Sequence, residues 1–236
     1  QWQVFELSRS GSSSEQVCHI YCDVTDEESV HNAIAEVMTH TDHLDVVISN
    51  AGFGISGPIE FTDSSAAKKQ FDVNFFGAFY LVKAVLPILR AQGYGRVLFT
   101  SSVAAELSIP YQGFYSASKS AINALALALA NEVRAFGIQV SVLMPGDVAT
   151  GFTNAREKEI KGADVYHNAH AAVAAMERDE QSGMPPVQMA RDLYRMATTL
   201  SPKPLYVGGM IYKVFCLLDR LLPKRLVNWI VGKLYC

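Results

Sequence analysis

The chain has 236 residues, half of them hydrophobic, with a formal net charge of −3 and a pI near 6.1. That length suits one α/β domain, or at most two small ones, with a real core. The balance of charge excludes a nucleic-acid binder held by bulk positive charge.

In chain order, residues 3–8 (QVFELS) and 18–22 (CHIYC) read as strands and residues 27–39 as a helix. A strand at 44–49 (LDVVIS), a long helical stretch at 64–92 and a strand at 96–101 (RVLFTS) follow. A helix at 115–136 stops at Gly137, before a strand at 139–144 (QVSVLM). Short β-branched strands alternating with helices predict right-handed crossovers and a parallel sheet covered on both faces. The expected fold class is therefore α/β, a doubly wound, three-layer domain spanning residues 1–236. Residues 151–186 are less regular and read as an insertion over one sheet edge, and residues 210–236 form an apolar tail.

Cys18, Cys22, Cys216 and Cys236 lack a histidine pair that would complete a metal site, and read as free thiols in a reducing, cytoplasmic setting. His167 and His170 read as surface residues, so no metal is expected. The first ten residues lack a basic start followed by an apolar run, and no stretch is expected to make an uninterrupted membrane span.

In such a sheet, ligands bind beyond the carboxyl ends of the strands. Those ends read SRS, CDVTD, SNAG, TSSVAA and MPGDVAT, all small, polar or glycine residues. The helix at 115–136 opens FYSASK, with Tyr115 and Lys119 one turn apart on the same face.

Together, NAG (50–52), DVNFFG (72–77), GRVLFTSSVAA (95–105), YSASK (115–119) and PGDVAT (145–150) resemble the short-chain dehydrogenase/reductase family, in its compact Rossmann-like branch. Each motif is weak alone, but their order and spacing are specific. Asn74 and Ser102 stand 41 and 13 residues before Tyr115. The resemblance covers about residues 4–207 and implies an oxidoreductase that interconverts an alcohol and a ketone or aldehyde with a nicotinamide cofactor.

On that resemblance Tyr115 is the general acid/base, Lys119 its tuner and a ligand of the nicotinamide ribose, and Ser102 the donor to the substrate oxygen, with Ser101 as fallback. Asn74 is implied to hold a water that relays protons to Lys119. A phenol of pKa about 10 releases its proton poorly near neutrality. An ammonium about 4 Å away, at an effective dielectric near 20, favours the phenolate by about 4 kcal/mol. That would lower the phenol by up to about three pH units.

The cofactor-binding set carried over by the resemblance is Ser8, Arg9 and Ser10; Asp23 and Val24; Asn50, Ala51 and Gly52; Tyr115 and Lys119; and Pro145, Gly146, Val148 and Thr150. Ser8 stands where NAD-preferring members carry an acid, and Arg9 follows. A guanidinium beside a hydroxyl-rich loop suits a 2′-phosphate, so NADP(H) is expected over NAD(H). Glu6, on the same strand face as Ser8, works against this. Asp23 is implied to contact the adenine amino group.

The chain also departs from the family. The first strand and the glycine-rich pyrophosphate loop T-G-x-x-x-G-x-G are missing. The strand at 3–8 would then lack one neighbour and the sheet would be split, so about thirty residues are expected before Gln1. The tail resembles those of members similar to 17β-hydroxysteroid dehydrogenases, which suggests a lipophilic substrate. It reads as a helix pair over the core or a dimer surface, as a lid, or as a peripheral membrane contact, with Pro223 breaking it near its middle. Long helices suit a homodimer or homotetramer. Two other readings are a catalytically inactive binding protein on the same fold and a sugar-nucleotide epimerase, for which the C-terminal region leaves little room.

Overall fold

The computed structural model describes residues 2–158 and 160–235; Gln1 and Cys236, both invoked above, lie outside the described residues. Strands β1 (Val4–Ser8) and β2 (Val17–Tyr21) pair in parallel. β3 (Val46–Ser49), β5 (Gly95–Thr100), β6 (Ile138–Met144) and β8 (Leu205–Val207) form a second parallel sheet in that order. β4 (Ile55–Ser56) and β7 (Glu157–Lys158) make a small third pair. The main strands thus form a pair and a quartet, as expected for a strand at Val4–Ser8 with a single neighbour.

Helix α1 (Glu27–His40) begins where the Asp26 carboxylate accepts from the Glu28 N–H at 3.0 Å. Its apolar stripe, Val30, Ala33, Ile34 and Val37, is buried. α2 (Ser64–Phe71) runs through one π-helical turn, Asp72–Phe76, into α3 (Gly77–Gln92). By length and composition the whole run Ser64–Gln92 is apolar enough to span a bilayer, against the expectation from sequence. In the fold its apolar residues Val82, Val85 and Leu89 instead pack in the core with Val97, Phe99 and Val142, and α3 runs on through Pro87.

α4 (Gly113–Glu132) starts two residues earlier than the sequence suggests and ends in a short 3-10 turn, Arg134–Phe136. Gly137 closes it with φ +72°, and a Cβ there would lie 2.3 Å from the Gly93 carbonyl oxygen, so only glycine fits. The 151–186 segment holds α5 (Phe152–Ala155), β7 and α6 (Ala169–Gln181). It is tied back to β4 through β7 and to Val148 through Met184. α7 (Pro186–Thr198) covers the quartet through Met196, which packs on Leu98 and Leu143. The tail folds as α8 (Met210–Leu221) and α9 (Lys224–Tyr235), separated at Pro223.

Candidate active site

The carboxyl ends of β3, β5 and β6 converge on the first turns of α4. β5 ends at Thr100, whose carbonyl accepts from Lys119 Nζ at 2.9 Å. Lys119 is 4% exposed, and its ammonium lies 5.8 Å from the centre of the Tyr115 ring. Burial lowers the Lys119 pKa to about 8. Burial raises the Tyr115 phenol to about 12, and the nearby Ser102 hydroxyl pulls the other way. Glu180 and Asp147 push it up further, while Arg156 lowers it. Against the expected depression by Lys119, the phenol stands above its ordinary value, because desolvation dominates both groups.

The two adjacent serines have different work. Ser101 Oγ donates to the Lys119 carbonyl at 3.0 Å, so it braces α4 and is no substitute for Ser102. Ser102 Oγ accepts from the Ala104 N–H at 3.1 Å and opens a 3-10 turn. Its hydroxyl also bonds the Tyr115 phenol, which places both groups where one substrate oxygen could meet them.

Asn74 sits in the π-helical turn and is 2% exposed. Its Nδ2 donates to the Phe53 carbonyl and to Ser118 Oγ, both at 3.0 Å, and its Oδ1 accepts from the Phe53 N–H at 3.0 Å. The π-turn adds a residue to the helix and swings this side chain inward. Asn74 thus clamps the loop after β3 to α4, with its amide nitrogen bonded to Phe53 and Ser118. Gln70 Nε2 donates to the same Phe53 carbonyl at 3.0 Å, a support absent from the sequence reading.

The nucleotide side is more open. Asn50, Ala51 and Gly52 are exposed after β3. A Cβ on Gly52 would stand 3.2 Å from both Asn74 Oδ1 and Lys119 Nζ, so glycine keeps this cradle clear. Ser8 Oγ donates to the Ser10 carbonyl at 2.9 Å, and Arg9 and Ser10 are exposed at the end of β1. Glu6 is held by His19 Nδ1 at 2.5 Å across the β1–β2 register, and the Arg9 charge acts on Asp23. Asp23 Oδ1 accepts from the Thr25 N–H and hydroxyl at 2.9 and 2.8 Å, which holds its carboxyl below the usual range. Asp26, not Asp23, caps α1, and the Arg9 charge also favours the Asp23 carboxylate. Val24 packs where a Cβ on Gly77 would be. These groups fit a dinucleotide laid across the strand ends.

After β6, the Pro145 carbonyl accepts from the Val103 N–H at 3.0 Å, and Thr150 Oγ1 accepts from the Phe152 N–H at 3.2 Å. Thr150 thus braces the turn that leads into α5, whose N-cap is Gly151. Gly146 faces Tyr212 of α8, whose ring would lie 2.1 Å from a Cβ there. Tyr212 also donates to Asp147 Oδ2 at 2.6 Å. Burial raises the Asp147 carboxyl, partly offset by that bond.

Sequence reasoning missed the wall on the far side of Tyr115. The Phe152 ring lies 5.5 Å from the Tyr115 ring and 5.5 Å from the Arg156 guanidinium. Arg156 is buried against Glu180, which also accepts from Thr153 Oγ1 at 2.8 Å. Nothing in the spacing of the 151–186 segment marks these residues, because their partners are set by how the segment folds back.

The family model for short chain dehydrogenases matches residues 5–161. The chain is 32% identical to a 3-ketodihydrosphingosine reductase of Bacteroides thetaiotaomicron, over 98% of this chain and 88% of that protein. It is 30% identical to a probable short-chain type dehydrogenase/reductase, VdlC, of Helicobacter pylori, over 94% of this chain and 85% of that one. The crystal structure of a short-chain dehydrogenase from Streptomyces avermitilis superposes with a TM-score of 0.78 at 27% identity, covering 93% of this chain and 80% of that one. On the matched model, the relatives and the shared α/β fold, the chain belongs to the short-chain dehydrogenase/reductase family, and is an NAD(P)-dependent oxidoreductase.

Proposed function

We propose that the protein is an NADP(H)-dependent reductase and dehydrogenase that interconverts a lipophilic secondary alcohol and its ketone or aldehyde. The reading rests chiefly on the cluster of Tyr115, Ser102 and Lys119 at the carboxyl ends of β5 and β6. The cofactor supplies or accepts the hydride. Ser102 donates to the substrate oxygen and fixes its distance from Tyr115. Tyr115 gives its proton to the oxygen as the carbonyl is reduced and takes it back in the opposite direction. A phenol held near 12 is a reservoir that stays protonated until charge develops on the substrate oxygen. Lys119 holds the strand end to α4, and Asn74 holds the loop after β3 against both.

Preference for NADP(H) is supported by Arg9, exposed beside Ser8 and Ser10, and by the pairing of Glu6, the acid on that strand, with His19. A lipophilic substrate is supported by the Phe152 wall against Tyr115 and by the 3-ketodihydrosphingosine reductase among the relatives. The exposed Phe76, Phe79 and Leu127 on α3, α4 and the adjoining π-turn suit an interface between copies, and we read the protein as a homo-oligomer. The free Cys18, Cys22 and Cys216 suit a reducing, cytoplasmic setting.

Fluorescence titration with NADPH and NADH in parallel tests the cofactor part. The reading requires tighter NADPH binding, lost by about tenfold or more in Arg9→Ala with NADH binding unchanged. Equal affinities, or an Arg9→Ala effect on both cofactors alike, would refute it.

A further inference from the structure

We propose that the outer face of the C-terminal helix pair α8–α9 docks on the surface of an anionic lipid bilayer. α8 buries one stripe, with Cys216 and Asp219 buried and Tyr212 half-buried one turn earlier. α9 half-buries Val227, Val231 and Tyr235, spaced four apart, and packs on α6. The remaining apolar residues face outward. Phe215, Leu217 and Leu221 on α8 and Trp229, Ile230 and Leu234 on α9 are all exposed, Leu221 at 71%. A soluble protein with no partner rarely presents so many large apolar side chains together.

The charges identify the occupant. The pair carries five cations, Lys213, Arg220, Lys224, Arg225 and Lys233, and a single acid, Asp219. Asp219 is buried and accepts from Lys224 Nζ at 2.5 and 2.7 Å. With Lys213 over the Tyr206 ring and Lys224 on Asp219, the pair turns apolar residues, Arg220, Arg225 and Lys233 outward, and its one acid is buried. That pairing of chemistry matches the boundary between acyl chains and anionic headgroups. A second copy presenting the same face would bring like charges together, which opposes self-association through it.

The inner face of the pair is fastened to the catalytic edge of the sheet. Tyr212 bonds Asp147 and covers Gly146 in the loop after β6. Docking through the outer face would set that edge, where Tyr115 sits, beside the bilayer. The proposal does not depend on which alcohol the enzyme takes.

Trp2 and Trp229 are the only tryptophans, so full-length protein carrying Trp2→Phe leaves Trp229 as the reporter. Its emission and its sedimentation are followed with vesicles of phosphatidylcholine and with vesicles containing about a third phosphatidylglycerol. The expected result is co-sedimentation and a blue shift with the anionic vesicles, both reversed by high salt. Each surface cation contributes about fivefold, so Arg220→Gln with Lys233→Gln should weaken binding about 25-fold. Leu217→Glu with Leu221→Glu should abolish it. Unchanged circular dichroism and NADPH binding in these variants separate loss of docking from loss of fold or of the oxidoreductase site. No binding to either vesicle, equal binding to both, or a discrete dimer that the double glutamate variant dissociates would overturn the proposal.

Discussion

Replacing Lys119 with methionine should stabilise the protein near neutral pH while destroying its activity. The ammonium is buried, and its pKa falls from 10.5 to about 8. At about 1.4 kcal/mol per pH unit, holding it charged below pH 8 costs the folded state about 3 kcal/mol relative to alkaline pH. Methionine leaves the Thr100 carbonyl without its partner, which takes back about 1.5–2 kcal/mol of that. Methionine fills most of the volume with neither charge nor donor, so Lys119→Met should gain about 1 kcal/mol at pH 7. The sign follows from proton counting. Between pH 8 and 10.5 the unfolded chain holds the Lys119 proton and the folded chain has released it, so stability rises with pH. The assay is urea unfolding of both proteins at pH 7, 8, 9 and 10. The wild type should gain on Lys119→Met by up to about 3 kcal/mol across that range, which cancels other groups common to both. Parallel pH dependences, or a variant several kcal/mol less stable at pH 7, would refute the reading of Lys119 as a buried, costly cation.

Ser102→Ala should lower kcat by about 10²-fold or more with little change in stability, since Ser102 caps only a short turn. Ser101→Ala should do the reverse, costing about 1–2 kcal/mol through the lost bond to the Lys119 carbonyl; swapped effects in steady-state kinetics and denaturant unfolding would reassign the two serines. Glu180→Gln leaves the buried Arg156 guanidinium uncompensated and should cost about 3–5 kcal/mol. The double variant Arg156→Met with Glu180→Met should recover most of that in thermal unfolding, and a strictly additive loss would exclude a buried pair.

Much of the site was legible because its parts lie at strand ends and on one helix turn. Tyr115 and Lys119 are four residues apart, and the strand before Ser102 fixes where that serine emerges. The alternation of strands and helices was likewise readable, as was Pro223 as the break in the tail. What escaped was set by long-range contact. The π-turn that directs Asn74 inward has no local signature in DVNFF. Arg156 and Glu180 meet only because the 151–186 segment doubles back, and Tyr212 reaches Gly146 from a helix more than sixty residues away. The phenol pKa escaped for a different reason. The charge on Lys119 was visible in sequence, but the desolvation that outweighs it depends on the fold.

The central claim is that Tyr115 carries the proton in a ketone reduction. The most direct test is NADPH oxidation with a panel of lipophilic ketones, by the wild type and by Tyr115→Phe. The account predicts turnover by the wild type, a fall of about 10²–10⁴-fold in kcat for the variant, and unchanged NADPH binding. Turnover that survives the loss of the phenol would contradict it.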